Sequence, residues 1–358
     1  MKMRGDRVNK LLSIIIPAYN MEAYLHRALS SLVIPDSELF KLLDVIVVND
    51  GSQDRTGDIS HYFANKYPDV MRVIDKQNGH YGSCVNVALP LANGVFVKIL
   101  DADDSYCGEG LSMLLRLLME NVPSHKFDEV DLVLTNCVKV GLDDKTTSED
   151  AVEVGKNRIM SLSEVPRHYV FHNVNVAWRT KMLHRIGYIQ SEGIMYTDTE
   201  WMTYPLVHVR KLYYYPTTVY RYLIGREGQS MDPAVFRRCI GQRIQMFMRM
   251  MREAVKPGVS AAAKYRMQYV VRSGINALFL GDVGNSLALA NERMSIVDSL
   301  IREYGDDVYN EFNYGLIAKW RKTRQLSACV VYLIRVEKML DQYAVPVKKV
   351  VKRIVRRL

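Results

Sequence analysis

The first 140 residues alternate short apolar runs with helical stretches, and that alternation leaves few folds open. Runs at 12–16, 45–48, 70–74, 95–100 and 132–138 have strand length, and 21–33, 56–66, 81–91 and 108–119 between them read as helices. Strands this apolar have no polar side to offer water, so both faces must be covered. That predicts an α/β domain with a mostly parallel central sheet and helices on both sides. Turn chemistry punctuates it at Pro17, Asn49-Asp50-Gly51-Ser52, Asn78-Gly79 and Asn93-Gly94. Ligands of such sheets sit beyond the carboxyl ends of the strands, and the unusual polar clusters of this chain fall there.

The sharpest cluster follows the fourth strand, where Val95-Phe96-Val97-Lys98-Ile99-Leu100 runs straight into Asp101-Ala102-Asp103-Asp104. Ionised carboxylates packed this closely repel one another and are costly to desolvate without a cation. Mg2+ or Mn2+, with few protein oxygens and open positions for a diphosphate, suits such a group. A solvated acidic turn capping the next helix would use the same residues. Upstream, Pro17-Ala18-Tyr19-Asn20 forms a rigid turn that brings Tyr19 and Asn20 to the sheet edge. One strand later Asp50 sits on a tight turn where a carboxylate can accept from the N–H of a planar base. Gly51 allows close backbone approach, and Ser52 or Asp54 can cap the following helix.

Taken together, Pro17-Ala18-Tyr19-Asn20, Val48-Asn49-Asp50-Gly51-Ser52-Gln53-Asp54-Arg55-Thr56, Gln77-Asn78-Gly79-His80-Tyr81-Gly82 and Asp101-Ala102-Asp103-Asp104 resemble the family-2 glycosyltransferases. These are inverting, nucleotide-sugar-dependent enzymes of the Rossmann-like GT-A fold. The resemblance covers residues 11–104 and, more loosely, 166–230. It implies that Pro17, Tyr19, Asn20, Asp50, Asn78, Gly79 and Asp101 hold the nucleotide, with Asp50 on a uracil. It also implies that Asp103 binds the metal, Mn2+ or Mg2+, although Asp104 could exchange roles with Asp103.

Inverting transfer requires a base for the acceptor hydroxyl. Tyr196-Thr197-Asp198-Thr199-Glu200-Trp201 resembles the acidic catalytic segment of the family, with Thr197 where Glu is usual. Asp198 is the expected base and Glu200 the fallback; an N-cap for the helix after it is the competing role for Asp198. The segment around Trp178 resembles the entry to the acceptor region. Trp178, Glu200 and Trp201 are the candidate acceptor contacts, with core packing the alternative for Trp178. The loop after Tyr220-Arg221-Tyr222 resembles one that closes over the diphosphate, where Arg226 would offset leaving-group charge. Its alternative is a plain solvated loop arginine.

The resemblance assigns a GT-A domain to 1–232, with a nucleotide half at about 8–140 and an acceptor half at about 166–232. A helical C-terminal region follows over 233–358. Its last twelve residues, 347–358, carry six Lys/Arg and no acid, which leaves +3 of the net +9 for everything else. Apolar residues at 347, 350, 351, 354, 355 and 358 alternate with them at helical spacing. Such a helix suits an anionic membrane surface, or packing on the preceding helices with its basic face solvated. Without a basic body or a known motif, no nucleic-acid partner is expected. No apolar run reaches the roughly 18–20 residues of a membrane span. The N-terminus predicts no secretory signal, and five scattered cysteines suggest reduced thiols. A cytoplasmic protein, peripheral on the inner face of the cell membrane, is the expected setting.

The expected reaction moves a sugar from a UDP-sugar to a hydroxyl of a cell-surface polysaccharide or lipid-linked glycan precursor. A nucleotidyltransferase would need a glycine-rich basic loop after the first strand, and a dehydrogenase would need Gly-x-Gly-x-x-Gly; neither is present. The remaining rival is a catalytically silent, membrane-tethered homologue that only binds nucleotide sugar.

Overall fold

The computed structural model describes residues 9–150, 155–166, 169, 171–226, 240–282, 287–303, 305–311, 313 and 315–325. Two compact units divide the chain, one of residues 1–229 with 258–266 and the other of residues 230–257 with 267–358.

The first unit is built on ten strands: β1 (Leu12–Ala18), β2 (Leu43–Asp50), β3 (Met71–Lys76), β4 (Phe96–Ile99), β5 (Ser105–Tyr106), β6 (Val130–Val140), β7 (Thr146–Asp150), β8 (Ile159–Met160), β9 (Val176–Arg179) and β10 (Lys211–Leu223). They form one sheet in the order β3-β2-β1-β4-β9-β6-β10-β5, with β7 on β6 and β8 on β10. The nucleotide half, β3-β2-β1-β4, is wholly parallel as its apolar strands predict. Strand β9 runs antiparallel to both β4 and β6, so the sheet is mixed beyond β4. Among the described residues no α-helix stands between β6 and β9, so no helical crossover sets the direction of β9.

Alternation along each strand sorts side chains into two cores. Ile14, Ile16, Val45, Val47 and Phe96 face one side, while Ile15, Ile46, Val48, Val97 and Ile99 face the other. Each fully buried branched side chain contributes about 1.5–3 kcal/mol relative to exposure. Lys98 is the exception inside this lattice. It is completely buried, and its Nζ donates to Val174 O at 3.1 Å and Val176 O at 3.2 Å. Desolvation pulls its pKa down to about 7.

Seven α-helices accompany the strands: α1 (Leu25–Ser30), α2 (Ser37–Phe40), α3 (Thr56–Lys66), α4 (His80–Ala88), α5 (Gly108–Asn121), α6 (Thr180–Arg185) and α7 (Asp198–Thr203). Helix α5 shows the expected stripe, burying Leu111, Leu114, Leu115 and Leu118. The polar stretch expected as a loop contributes β7, which pairs Val138 with Glu149 and Lys139 with Ser148. Residues 146–149 are exposed, so β7 joins the part of β6 beyond its pairing with β9 through backbone pairing rather than burial.

The second unit is helical: α8 (Ile240–Ala254), most of α9 (Ala261–Asp282), α10 (Leu287–Arg302), α11 (Asp306–Glu311) and α12 (Gly315–Thr323). The start of α9 belongs to the first unit, where Arg266 donates to the carbonyls of Leu162, Val165, Pro166 and Tyr169. Within the second unit Asp298 gathers Arg321 Nε at 2.5 Å, Arg324 Nη1 at 3.0 Å and the Tyr309 hydroxyl at 3.1 Å. The chain reverses at Pro257-Gly258 and at Gly305, with φ of 84° and 96° at the glycines. No helix among the described residues is long and apolar enough to cross a membrane. The basic segment 347–358 lies outside the described residues.

Candidate active site

The carboxyl ends of β1 and β2 are stapled to each other. Asn20 adopts a φ of 52°, its N–H donates to Ser52 Oγ at 3.1 Å, and its Oδ1 accepts from Gln53 N–H at 2.9 Å. Gly51 has a φ of 72°, and a Cβ there would lie 2.9 Å from the Asn78 nitrogen. A glycine is therefore required, because the β2 turn and the Asn78-Gly79 loop touch backbone to backbone. Tyr19 is 45% exposed at this edge, and Asn78 is exposed across from it. Pro17 lies in β1, paired with Val48, and directs the turn after it.

Asp50 is buried, and its Oδ1 accepts from Lys76 Nζ at 2.6 Å and from Gly79 N–H at 3.0 Å. Lys76 also donates to Ser83 Oγ at 2.8 Å, so one ammonium ties the end of β2, the end of β3 and α4 together. A Cβ on Gly79 would come within 2.6 Å of Ser83 Oγ, which explains the second glycine.

Strand β4 delivers the acidic turn. Asp101 accepts from the Tyr81 hydroxyl at 2.9 Å on Oδ1 and from Asn173 Nδ2 at 3.4 Å on Oδ2, and its N–H donates to Tyr220 Oη at 3.1 Å. Desolvation, then the charges of Asp103 and Asp198, push its carboxyl up to about 7. Asp103 accepts on Oδ2 from Arg226 Nε at 2.6 Å, and its carbonyl accepts from Arg27 Nη2 at 2.6 Å. Asp104 is completely buried, with Oδ2 accepting from the Tyr220 hydroxyl at 2.6 Å and Oδ1 from Leu223 N–H at 2.7 Å. Both of its oxygens are committed to protein donors, so of the two interchangeable acids only Asp103 has the setting of a metal ligand. Burial, with Asp101 and Asp103 nearby, also raises the Asp104 carboxyl.

Asp198 opens α7, and its charge reaches Asp101, Tyr81 and Tyr222. Thr197, not Asp198, occupies the N-cap position. Asp198, far from the acidic turn in sequence, thus comes close enough to Asp101 for their charges to interact. Among the described residues no three His, Cys, Asp or Glu side chains form a ready-made cation cage. The donor set still fits a small hard cation that takes one or two carboxylates and fills its other positions from a ligand. Desolvation, and after it the charges of Asp103 and Asp198, raise the Asp101 carboxyl, and such an ion would offset both.

Three expected acceptor contacts need correction. Trp178 and Trp201 are fully buried, and Trp178 Nε1 donates to Trp201 O at 3.0 Å. Strand β9 is flanked on both sides by other strands, so Trp178 belongs to the core, and Trp201 packs edge-on against Tyr188. Glu200 is also buried, with its two oxygens accepting from Ser191 N–H and Ser191 Oγ at 2.7 Å each. It ties a loop in place, and its burial keeps it from the surface an acceptor would meet.

Lys76, Tyr81, Asn173 and Tyr220 shape the site without any signal in local sequence. Asn173 and Tyr220 stand 72 and 119 residues from Asp101. Of the four, Tyr81 and Tyr220 lie in stretches that the resemblance singles out, though it gives neither a role of its own.

A parallel half-sheet whose strand ends carry clustered carboxylates, continued by a mixed sheet, is the architecture of the GT-A fold. Residues 13–182 match the family model described as Glycosyl transferase family 2. The chain is 30% identical over 172 residues to the minor teichoic acid biosynthesis protein GgaB of Bacillus subtilis, which covers 48% of this chain and 18% of that protein. It is 25% identical over 196 residues to the uncharacterized glycosyltransferase EpsJ of the same organism, covering 52% of this chain and 53% of that one. The chain therefore spans less than two thirds of the length of these relatives. A crystal structure of S. aureus TarS 1-349 in complex with UDP-GlcNAc shares the fold, with a TM-score of 0.63, 20% identity, and coverage of 83% of this chain and 82% of that one. Residues 13–182 thus carry a family-2 glycosyltransferase domain.

Proposed function

We propose that this glycosyltransferase moves a sugar, with inversion, from a UDP-sugar to a hydroxyl of a cell-surface polysaccharide or a lipid-linked glycan precursor. The observation that carries the reading is that Asp101, beside Asp103 on the acidic turn, feels the charge of Asp198 and accepts from Tyr81 of the helix that begins at the Asn78-Gly79 loop. The UDP and UDP-GlcNAc complexes of the TarS structures support the donor class, and the teichoic acid role of GgaB supports a cell-wall polymer as acceptor.

In this reading Tyr19, Asn20, Asp50, Asn78 and Gly79 receive the nucleotide, and Pro17 sets the turn. Asp50, steadied on one oxygen by Lys76, accepts from the uracil N–H with the other. Asp101 meets the ribose side, and Asp198 takes the proton of the acceptor hydroxyl as that oxygen attacks the anomeric carbon. Arg226 leaves Asp103 for the departing diphosphate. Mn2+ or Mg2+, held by Asp103 with Asp101 beside it, would supply Lewis-acid stabilisation of the leaving UDP. Residues 1–232 form the catalytic domain and 233–358 the helical region. The composition of 347–358 supports docking on an anionic membrane at the inner face of the cell membrane.

The test is release of UDP from a panel of UDP-sugars with Mn2+, Mg2+ or EDTA, in the presence and absence of membrane lipid extract, for the wild type, Asp103→Ala and Asp198→Ala. Metal-dependent release from one donor, lost in both variants, is the expected result. UDP binding without release under every condition would favour a silent nucleotide-sugar-binding protein.

A further inference from the structure

Contacts inside the first unit link the donor-side loop to the segment that carries Asp198. Helix α4 begins directly after Asn78-Gly79, and its backbone packs on the stretch 188–193. A Cβ on Gly82 would lie 1.9 Å from Ser191 O. One turn further, Asn86 acts as a piece of strand. Its Oδ1 accepts from Gln190 N–H at 2.8 Å, and its Nδ2 donates to Gln190 O at 2.9 Å and to Glu192 Oε1 at 2.7 Å.

Gln190 carries the connection onward. It is 1% exposed, its Nε2 donates to Thr197 O at 2.7 Å, and its Oε1 accepts from the Tyr188 hydroxyl at 3.2 Å. Thr197 is the residue before Asp198. Two further ties close the same circuit: Gly193 N–H donates to Gly79 O at 3.1 Å, and Ser191 donates twice to Glu200, two residues beyond Asp198. Breaking the buried bonds of Gln190 to Thr197 and Tyr188 strands a desolvated donor or acceptor, so the centre of the network has few alternative arrangements.

We propose that Gln190, anchored by Asn86, is a positioning residue that sets Asp198 from the donor loop, so that the two sides of the site move as one body. This rests on the reading of Asp198 as the base. It gives the buried polar residues of 188–200 a role in catalysis without contact to substrate. Donor bound at Asn78-Gly79 would then steady the base before the acceptor arrives.

Amide hydrogen exchange on the full chain tests the coupling directly. In the ligand-free protein, Asn86→Ala and Gln190→Met should each speed exchange across 194–201, and the double variant should be no faster than the faster single one. Adding UDP with Mn2+ should protect that peptide in the wild type but not in Gln190→Met, although both bind UDP within twofold. In UDP release from the donor that the UDP-sugar panel identifies, Gln190→Met should lower kcat roughly 10–100-fold with donor KM within twofold, as expected for a misplaced base. Unchanged exchange at 194–201, or UDP affinity falling in step with kcat, would overturn the proposal. Retained turnover in Asp198→Asn would instead sink the base assignment, and the exchange data would then decide the coupling alone.

Discussion

Arg226 closes on Asp103 through a contact of 2.6 Å between Nε and Oδ2, with both side chains largely buried. Asp103 thus has a cationic partner of its own, supplied from just beyond β10. In the proposed reaction that guanidinium turns to the diphosphate. Arg226→Met should lower kcat by about 10²–10³, the range for losing one donor to a developing charge. Arg226→Lys should restore little, since a point charge lacks the planar fork. Steady-state kinetics of UDP release give the comparison, and a kcat within twofold of wild type for Arg226→Met would remove Arg226 from the chemistry.

Tyr220 sits under the acidic turn and bridges it. Its hydroxyl donates to Asp104 and accepts from the Asp101 N–H. Tyr220→Phe keeps the ring but strands a buried carboxylate and a backbone N–H. A loss of about 1–3 kcal/mol is expected from denaturant unfolding. Donor KM should rise as well, because Asp101 loses one of its supports.

Lys98 makes stability depend on pH in a definite direction. Its folded pKa is about 7 against 10.5 for a free lysine. Below about pH 7 both states are protonated, and the desolvation penalty is fully present. Between pH 7 and 10.5 the folded amine is neutral while the unfolded chain still holds its proton, so this residue makes stability rise with pH. Lys98→Met should flatten that contribution. Unfolding midpoints at pH 6, 8 and 9.5 for both proteins would show it, and parallel profiles would contradict it.

Gly51 carries the close backbone approach between the turn after β2 and the Asn78-Gly79 loop. Gly51→Ala places a Cβ against the Asn78 nitrogen in a left-handed conformation. The conformation alone costs about 1–2 kcal/mol. The melting temperature should fall and UDP affinity should weaken together, because the same turn bears both functions. Calorimetric titration with UDP would separate this from Gln190→Met, where only turnover falls.

The parallel half of the sheet was readable from its short apolar runs, because each strand there is covered on both faces and joined to the next by a helix close in sequence. The positions of Asp50, Asp101, Asp103 and Asp198 at strand and helix ends were readable for a related reason: short polar motifs carry their backbone turns with them. The burial of Glu200 and Trp201, and which of its two readings Trp178 takes, were not readable because a residue's neighbours across the sheet are not written beside it. The antiparallel course of β9 and the addition of β7 were hidden for the same cause.

What this chain's sequence determined by itself is local: which segments are strands, where they turn, and which acids stand at their ends. What only tertiary structure decided is which of those acids share space and which are consumed as scaffolding. Asp103 and Asp104 are adjacent in sequence, yet one faces Arg226 at the site while the other is sealed beneath Tyr220 and Leu223. Electrostatic and hydrogen-bond energies depend on distance and desolvation, and both are set by contacts between residues more than a hundred positions apart.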